Sequence, residues 1–188
     1  MSNEIVLDIE TDGLGGPNGE PARITLVGVY FYETDTYESF LEHELHLLWP
    51  KLERGGRIIG YNTKGFDYPV MNHYYPGNVA DFPSLDLLEE IHKALGFRLK
   101  LDSVAQASVG AGKTGHGLQA IEFFKKGEID KLKKYCLDDV RITKEVYEFG
   151  KANGVICYFD RAGEKKTVNV NFRQTEVEAK PVNLTLGF

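Results

Sequence analysis

Three short segments of the chain place carboxylates where burial of their charge needs compensation. The acidic residues in these segments are Asp8, Glu10, Asp67, Asp138 and Asp139. A buried carboxylate is strongly disfavoured unless a partner neutralises it, and a shared metal ion is one such partner. The segments together therefore predict a divalent-metal site suited to phosphodiester chemistry.

The first two acids end a predicted strand. Residues 4–10 are rich in Ile, Val and Leu, and side chains alternate between the faces of a strand, so Val6, Asp8 and Glu10 share one face. Both faces begin apolar, as in a central strand covered on two sides. The carboxylates then emerge at the carboxyl end, where open α/β sheets bind ligands. The alternative for this segment alone is an acidic strand end that runs into the turn 11–13.

The third segment lies on a predicted helix over residues 129–153. When this helix is wound at about 100° per residue, Asp139 falls inside the apolar arc. Asp138 falls on the opposite side, in a solvated, salt-bridged stripe formed by Lys134, Asp138, Arg141 and Glu145. Asp139 is therefore expected to face the site, and Asp138 is expected to be structural. Tyr135 lies one turn before Asp139 on the same face, where it can reach the site or simply pack in the core.

The middle segment joins a predicted strand, residues 57–61, to a predicted helix that begins near Gly65. This places Asn62 in the connecting loop and Asp67 in the first helical turn, where Pro69 is also tolerated. Taken alone, Asp67 would be an ordinary first-turn acid favoured by the helix dipole. Convergence with the other two segments favours a role at the metal site.

The order Asp-x-Glu, Asn-x-x-x-Phe-Asp and Tyr-x-x-x-Asp resembles the tyrosine branch of the DEDD superfamily of 3′-to-5′ exonucleases. The stretch from Gly60 to Asp67 resembles the proofreading exonuclease of family B DNA polymerases and the ribonuclease-H-like nucleases related to it. The resemblance covers residues 4 to about 150 and includes all four carboxylates and the tyrosine.

This resemblance implies an α/β, ribonuclease-H-like fold, with a mixed five-stranded sheet and helices on both faces. The strands are expected near residues 4–10, 23–32, 36–41, 57–61 and 82–86. A β-hairpin of residues 155–159 and 167–172 is expected after Gly154. The predicted organisation is therefore a nuclease domain, 1–154, with an appended hairpin and tail, 155–188, packed on it.

The resemblance also implies a function: a metal-dependent 3′-to-5′ exonuclease that hydrolyses single-stranded nucleic acid, with DNA favoured, and releases nucleoside monophosphates. Two divalent ions are expected, Mg²⁺ or Mn²⁺, because the ligands are all oxygens. Asp8 would bridge the ions, Glu10 and Asp139 would complete the site of the ion that holds the attacking water, and Asp67 would support the second ion. Tyr135 would orient the water, since a tyrosine with a pKa near 10 is a poor base at neutral pH.

Four further residues are candidates for substrate contacts. Thr11 and Asn62 are expected to contact the terminal nucleotide, and Phe66 either stacks on it or fills the core. Lys113 belongs to the stretch 107–114, which resembles the phosphate-binding loop of nucleotide hydrolases with Ala107 in place of the first glycine. A helix is expected before this stretch instead of the required strand. Lys113 is therefore a substrate-phosphate contact or an ordinary loop lysine, and a nucleotide hydrolase is the weaker alternative.

Composition limits the remaining possibilities. The chain has 188 residues, 42% of them hydrophobic, and a formal net charge of −6, which argues against gripping nucleic acid through a bulk positive field. Two cysteines and scattered histidines predict neither a disulfide framework nor a zinc site. No signal peptide or membrane span is recognised, so a cytoplasmic location is expected. A polymerase or helicase partner in trans is compatible with the sequence, as is an inactive, nuclease-like recruitment module.

Overall fold

The computed structural model of the protein describes residues 3–15, 22–112 and 117–173. The strands in these residues are β1 (Glu4–Thr11), β2 (Ile24–Phe31), β3 (Thr36–Leu41), β4 (Arg57–Gly60), β5 (Ser84–Asp86), β6 (Val155–Phe159) and β7 (Lys165–Asn169). The α-helices are α1 (Leu45–Arg54), α2 (Tyr68–Met71), α3 (Leu87–Leu95), α4 (Leu101–Val109), α5 (Gly117–Lys125) and α6 (Ile129–Asn153).

Five strands form one mixed sheet in the order β3-β2-β1-β4-β5. The β1–β2 and β2–β3 pairs are antiparallel, whereas β1–β4 and β4–β5 are parallel. The β1–β4 register covers only Glu4 to Val6 on β1, opposite Arg57 to Ile59 on β4. Beyond Val6, the carboxyl half of β1 is paired with β2 alone.

The side chains on the two faces of β1 pack into two separate hydrophobic cores, as the alternating sequence predicts. Ile5, Leu7 and Ile9 pack with α1 and α2 on one side of the sheet. Val6 packs on the other side with α3, α4 and α6. Full burial of a Val, Leu or Ile side chain is worth about 1.5–3 kcal/mol, so a strand covered on both faces holds its backbone firmly. The predicted five-stranded sheet with helices on both faces is confirmed.

The carboxyl-terminal hairpin forms a second, two-stranded antiparallel sheet from β6 and β7. Ile156 and Val168 join the core beneath α4 and α6, and Phe172, which follows the hairpin, is fully buried. The Phe172 carbonyl accepts a hydrogen bond from Arg57 at 3.2 Å. The predicted hairpin is confirmed, although its second strand, β7 (Lys165–Asn169), starts and finishes earlier in the chain than the predicted strand, 167–172, and overlaps it only at residues 167–169.

Two other boundaries differ from the expectations. The fifth strand is limited to Ser84–Asp86, and residues 82–83, which were predicted to begin it, connect it to a short 3₁₀ helix, Val79–Asp81. The helix that follows β4 opens with a π-helical turn, Thr63–Asp67, and the α-helical part begins only at Tyr68. None of the helices in the described ranges is long and apolar enough to cross a lipid bilayer.

Candidate active site

Asp8 and Glu10 lie next to each other at the carboxyl end of β1, on the face covered by α6. Three atoms lie within 4.8 Å of one another: a carboxylate oxygen of Asp8, a carboxylate oxygen of Glu10 and the sulfur of Cys136. Glu10 is buried, and Asp8 is partly exposed. The β1–β2 register shifts between Glu10 and Thr11, so a β-bulge follows the pair. Bulges commonly re-aim side chains next to active sites, and this one ends the regular strand at the acidic pair.

The face of α6 that packs on the sheet carries Tyr135, Cys136 and Asp139, which are 7%, 0% and 5% exposed. Asp138 instead lies at the surface and accepts a hydrogen bond from Arg141 at 3.5 Å. Asp139 and Asp138 therefore lie on different sides of α6, as helical winding predicts, and only Asp139 is buried.

The predicted charged stripe on the outer face of α6 is shorter than expected. Arg141 pairs with both Asp138 and Glu145, the latter at 2.7 Å. Lys134 is exposed on the same side, as predicted, but it forms no ion pair with any residue that the structure describes. Helical spacing brings Lys134 within reach of Asp138, but an exposed lysine gains too little from such a pair to hold one geometry.

The π-helical turn positions Asp67. Asn62 precedes the turn with φ +68°, and its carbonyl accepts hydrogen bonds from Gly65 at 3.1 Å and Phe66 at 3.0 Å. A Cβ at position 65 would lie 2.6 Å from the Asn62 side-chain oxygen, so a side chain there would displace the Asn62 amide group. The wide turn directs Asp67 inward, where it is 5% exposed. Isolated π-helical turns are frequent at functional sites.

Burial raises the pKa of Asp67, and the negative charge of Asp86 raises it further. The backbone amides of Asp67 itself and of Ile9 favour the charged form and offset part of this shift. Because Ile9 lies between Asp8 and Glu10, this effect places Asp67 beside the acidic end of β1. A cation at this position would lower the cost of ionising Asp67.

Asp86 is a functional candidate that the sequence reasoning missed. Its buried carboxylate caps α3 by accepting hydrogen bonds from the backbone amides of Leu88 and Glu89. The same carboxylate accepts hydrogen bonds from the backbone amides of Asn62 at 2.8 Å and Lys64 at 3.1 Å. It therefore fixes the loop that leads to Asp67. The detectable signal was a helix-start pattern, an aspartate followed three residues later by Glu89.

Cys136 is the second residue that the sequence reasoning missed at this site. Burial and the charges of Asp8, Glu10 and Asp139 raise the pKa of its thiol well above the ordinary value. The thiol is therefore neutral, and it donates a weak hydrogen bond to the Asp8 carbonyl over 3.7 Å. The same interactions place Asp139 in the electrostatic neighbourhood of the β1 acids, although the most compact group contains neither Asp139 nor Asp67.

A cleft of about 370 Å³ opens beside Glu10. It is lined by Ile9, Glu10, Thr11, Gly13, Leu14, Phe66, Leu118 and Ile121. Phe66 both packs against the core and borders this cleft, so the two alternatives for its role are compatible. The Thr11 hydroxyl donates to the Gly13 carbonyl at 2.6 Å, and the Asn62 side chain accepts a hydrogen bond from Arg98.

The candidate phosphate loop does not have the required structural context. Helix α4, Leu101–Val109, precedes Gly110, whereas a phosphate-binding loop follows a buried strand. Lys113 itself lies outside the described residues.

The side chains at this site fit a hard divalent cation. Asp8, Glu10, Asp67 and Asp139 offer only oxygen ligands, and three of the four are almost fully buried. Mg²⁺ and Mn²⁺ prefer such ligands, whereas a neutral thiol such as that of Cys136 is not a ligand for them.

Comparisons with known proteins agree with this architecture. The chain is similar in fold to a family B DNA polymerase from the archaeon Pyrobaculum calidifontis, with a TM-score of 0.62 and 18% identity over 78% of this chain and 24% of the polymerase. It is also similar to RNase D of Trypanosoma brucei, with a TM-score of 0.60 and 15% identity over 79% of this chain and 57% of that protein. The chain thus spans less than two thirds of either protein.

No curated protein matches the chain in sequence. A family model of the RNase H superfamily, RNase_H_2, matches residues 5–149, which include every one of the four proposed metal ligands. The chain therefore belongs to the RNase H superfamily.

Proposed function

We propose that the protein is a 3′-to-5′ exonuclease that depends on divalent metal ions and acts on single-stranded nucleic acid, preferentially DNA. The observation that carries this proposal is the meeting of Asp8, Glu10 and the inward face of α6 at the carboxyl end of β1. The similarity in fold to a family B DNA polymerase and to RNase D supports the same function.

In this proposal Asp8, Glu10, Asp67 and Asp139 hold two ions, Mg²⁺ or Mn²⁺. Bound there, the ions would activate water and neutralise charge on the phosphate and on the leaving 3′-oxygen. The protein's own groups bind and orient the reactants. Tyr135 positions the attacking water through its hydroxyl, while Thr11, Asn62 and Phe66 contact the terminal nucleotide, and the cleft beside Glu10 receives it. Lys113 is proposed to contact a substrate phosphate.

The proposed organisation is a nuclease domain of residues 1–154 with an appendage of residues 155–188. Support for a stable attachment comes from the core contacts of Ile156, Val168 and Phe172. The hairpin therefore stabilises the far end of α6, which is the same helix that carries Tyr135 and Asp139.

The decisive experiment uses single-stranded DNA and RNA labelled at the 5′ end and incubated with Mn²⁺. A ladder of products that shorten from the 3′ end, with release of nucleoside 5′-monophosphates, is the expected result. Asp139→Asn is the inactive control, and ATP is a parallel substrate. Phosphate release from ATP without nuclease activity would favour the Lys113 loop, and inactivity towards all substrates would favour a recruitment module.

A further inference from the structure

An exposed aromatic and basic surface adjoins the loop that carries Asn62. We name it the Phe97 surface, and it consists of Phe97, Arg98, Lys100 and Tyr158. Phe97 is 47% exposed, and its ring lies 6.0 Å from that of Tyr158 in an edge-to-face arrangement. Arg98 and Lys100 are both exposed beside it. One large exposed aromatic ring and two exposed cations thus lie within four consecutive residues, 97–100.

Direct contacts join this surface to the candidate active site. The Arg98 guanidinium donates a hydrogen bond to the side-chain oxygen of Asn62. The Tyr61 hydroxyl donates to the carbonyl of Leu99 at 2.9 Å. Asn62 immediately precedes the π-helical turn that ends at Asp67. The hydrogen bond between Arg98 and Asn62 therefore lies one helical turn from Asp67, a proposed metal ligand.

The two cations of this surface lie outside the ion pairs that the described residues form. Nearby lysines are engaged, with Lys64 bound to Glu89 at 2.5 Å and Lys93 bound to Glu90 at 2.9 Å. Across residues 3–15, 22–112 and 117–173, no carboxylate forms an ion pair with Arg98 or Lys100. Arg98 and Lys100 are therefore two cations without an ion pair among the described residues, in a chain whose net charge is −6.

We propose that the Phe97 surface binds the single-stranded DNA that lies 5′ of the scissile bond. A base stacks on Phe97, which Tyr158 supports at its edge, and Arg98 and Lys100 bind the adjacent phosphates. Aromatic rings for stacking and cations that follow the backbone are the two features by which proteins hold single strands without reading sequence. This proposal rests on the proposed function and names how the same site recognises a polymer.

The test compares the rates at which the same active site hydrolyses a long substrate and a short one. The long substrate is a single-stranded DNA of about 12 nucleotides, within the usual range of single-strand sites. The short one is the p-nitrophenyl ester of thymidine 5′-monophosphate, which has no upstream nucleotide. For each variant the ratio of kcat/KM for the long substrate over the short one is measured. The Kd for the labelled 12-mer is measured in parallel by fluorescence anisotropy.

Phe97→Ala is expected to lower the ratio about tenfold, with most of the change in KM, as loss of one stacked base requires. Arg98→Gln is assessed by Kd alone, because Arg98 also holds the Asn62 side chain. It is expected to reduce the salt dependence of 12-mer binding by about 0.7 in log Kd per log salt, the value for one phosphate contact on a single strand. Matched controls are Tyr37→Ala and Arg54→Gln. Tyr37 is an exposed tyrosine on the edge strand β3, and Arg54 is an arginine at the end of α1 that donates to the Pro50 carbonyl.

Both controls are expected to keep the wild-type ratio. An equal fall in kcat/KM on both substrates would overturn the proposal, because it would mean that Phe97 only supports the fold or the terminal-nucleotide contact. An unchanged ratio together with an unchanged Kd would overturn it as well and would leave the surface for a protein partner. If the wild type hydrolyses neither substrate, the proposed function fails, and the Kd series still decides whether this surface binds DNA.

Discussion

Gly28 on β2 lies directly opposite Asp8 on β1. A Cβ at position 28 would lie 2.7 Å from the Cys136 sulfur and 3.1 Å from Val140. The missing side chain thus allows α6 to approach the sheet at the point where Asp8 sits. This approach sets the spacing between the acids of β1 and those on the helix.

Gly28→Ala is expected to push α6 outward and to lower stability by about 1–3 kcal/mol, the usual cost of overpacking a core. Nuclease activity should fall as well, since Asp139 moves with the helix. Urea denaturation and the exonuclease assay measure the two effects. Adding Cys136→Ala should recover part of both losses, because it removes the nearer contact. Strict additivity of the two substitutions would contradict the proposed contact.

The same substitution should strongly reduce activity at one of the two neighbouring aspartates of α6 and hardly change it at the other. Asp139→Asn is expected to reduce kcat by at least about a hundredfold while the fold is retained, because several kcal/mol of charge stabilisation depend on the metal site. Asp138→Asn should change kcat less than about twofold, as its exposed pair with Arg141 is worth little. Circular dichroism confirms folding. An inactive Asp138 variant beside an active Asp139 variant would refute the assignment.

Tyr135→Phe tests whether the hydroxyl orients water or removes its proton. For orientation alone, the loss in kcat should stay below the range of about 10²- to 10⁴-fold that is typical of a general base. The pH–rate profile of the variant should keep the shape of the wild type. A larger loss, combined with a changed basic limb of the profile, would assign Tyr135 as the base.

Metal binding and pH should act together on stability through Asp67. Burial raises the pKa of Asp67 to about 7 in the metal-free fold, whereas the pKa of the carboxyl in the unfolded chain is near its ordinary value of 3.8. The folded state therefore holds an extra proton between these values, and metal-free stability should fall as pH rises from about 4 to about 7. Consequently, Mn²⁺ should raise the Tm more at pH 8 than at pH 5.5.

Calorimetry with and without Mn²⁺ at the two pH values measures this linkage. Asp67→Asn serves as the control and should lose much of the pH dependence. Asp8→Ala should lose most of the metal-induced rise in Tm. A wild-type Tm that is insensitive to Mn²⁺ at every pH would contradict the metal site itself.

The buried ion pair at the other end of β1 should affect stability without affecting chemistry. Arg57 binds Glu4 at 2.6 Å and the Tyr147 hydroxyl at 2.8 Å, and both charged side chains are almost fully buried. Arg57→Met leaves Glu4 with less compensation and is expected to cost about 3–5 kcal/mol. Below its Tm, the variant should keep wild-type kcat. The double variant that carries both Glu4→Gln and Arg57→Met should recover part of the loss in stability.

Much of the site follows from periodicity in the sequence. Strand alternation correctly places Asp8 and Glu10 on the face of β1 beneath α6, and helical winding correctly separates Asp139 from Asp138. These patterns hold because cores on both faces of the sheet fix which side chains turn inward. The roles of Cys136 and Asp86 do not follow from them, since those depend on contacts between distant segments. No periodic pattern records the π-helical turn either, since it depends on the left-handed conformation of Asn62, whose carbonyl accepts hydrogen bonds from the amides of Gly65 and Phe66.

The early end of the β1–β4 pairing has a consequence for how this molecule can diversify. Beyond Val6 the two parallel strands no longer share a ladder, and the gap exposes the Ile9 backbone to Asp67. The candidate active site thus lies where the pairing between β1 and β4 ends, whereas Phe97 and the hairpin lie outside it. If the proposed function holds, changes in those outer segments would alter which polymers bind, and over what length, without disturbing the carboxylates of the candidate metal site.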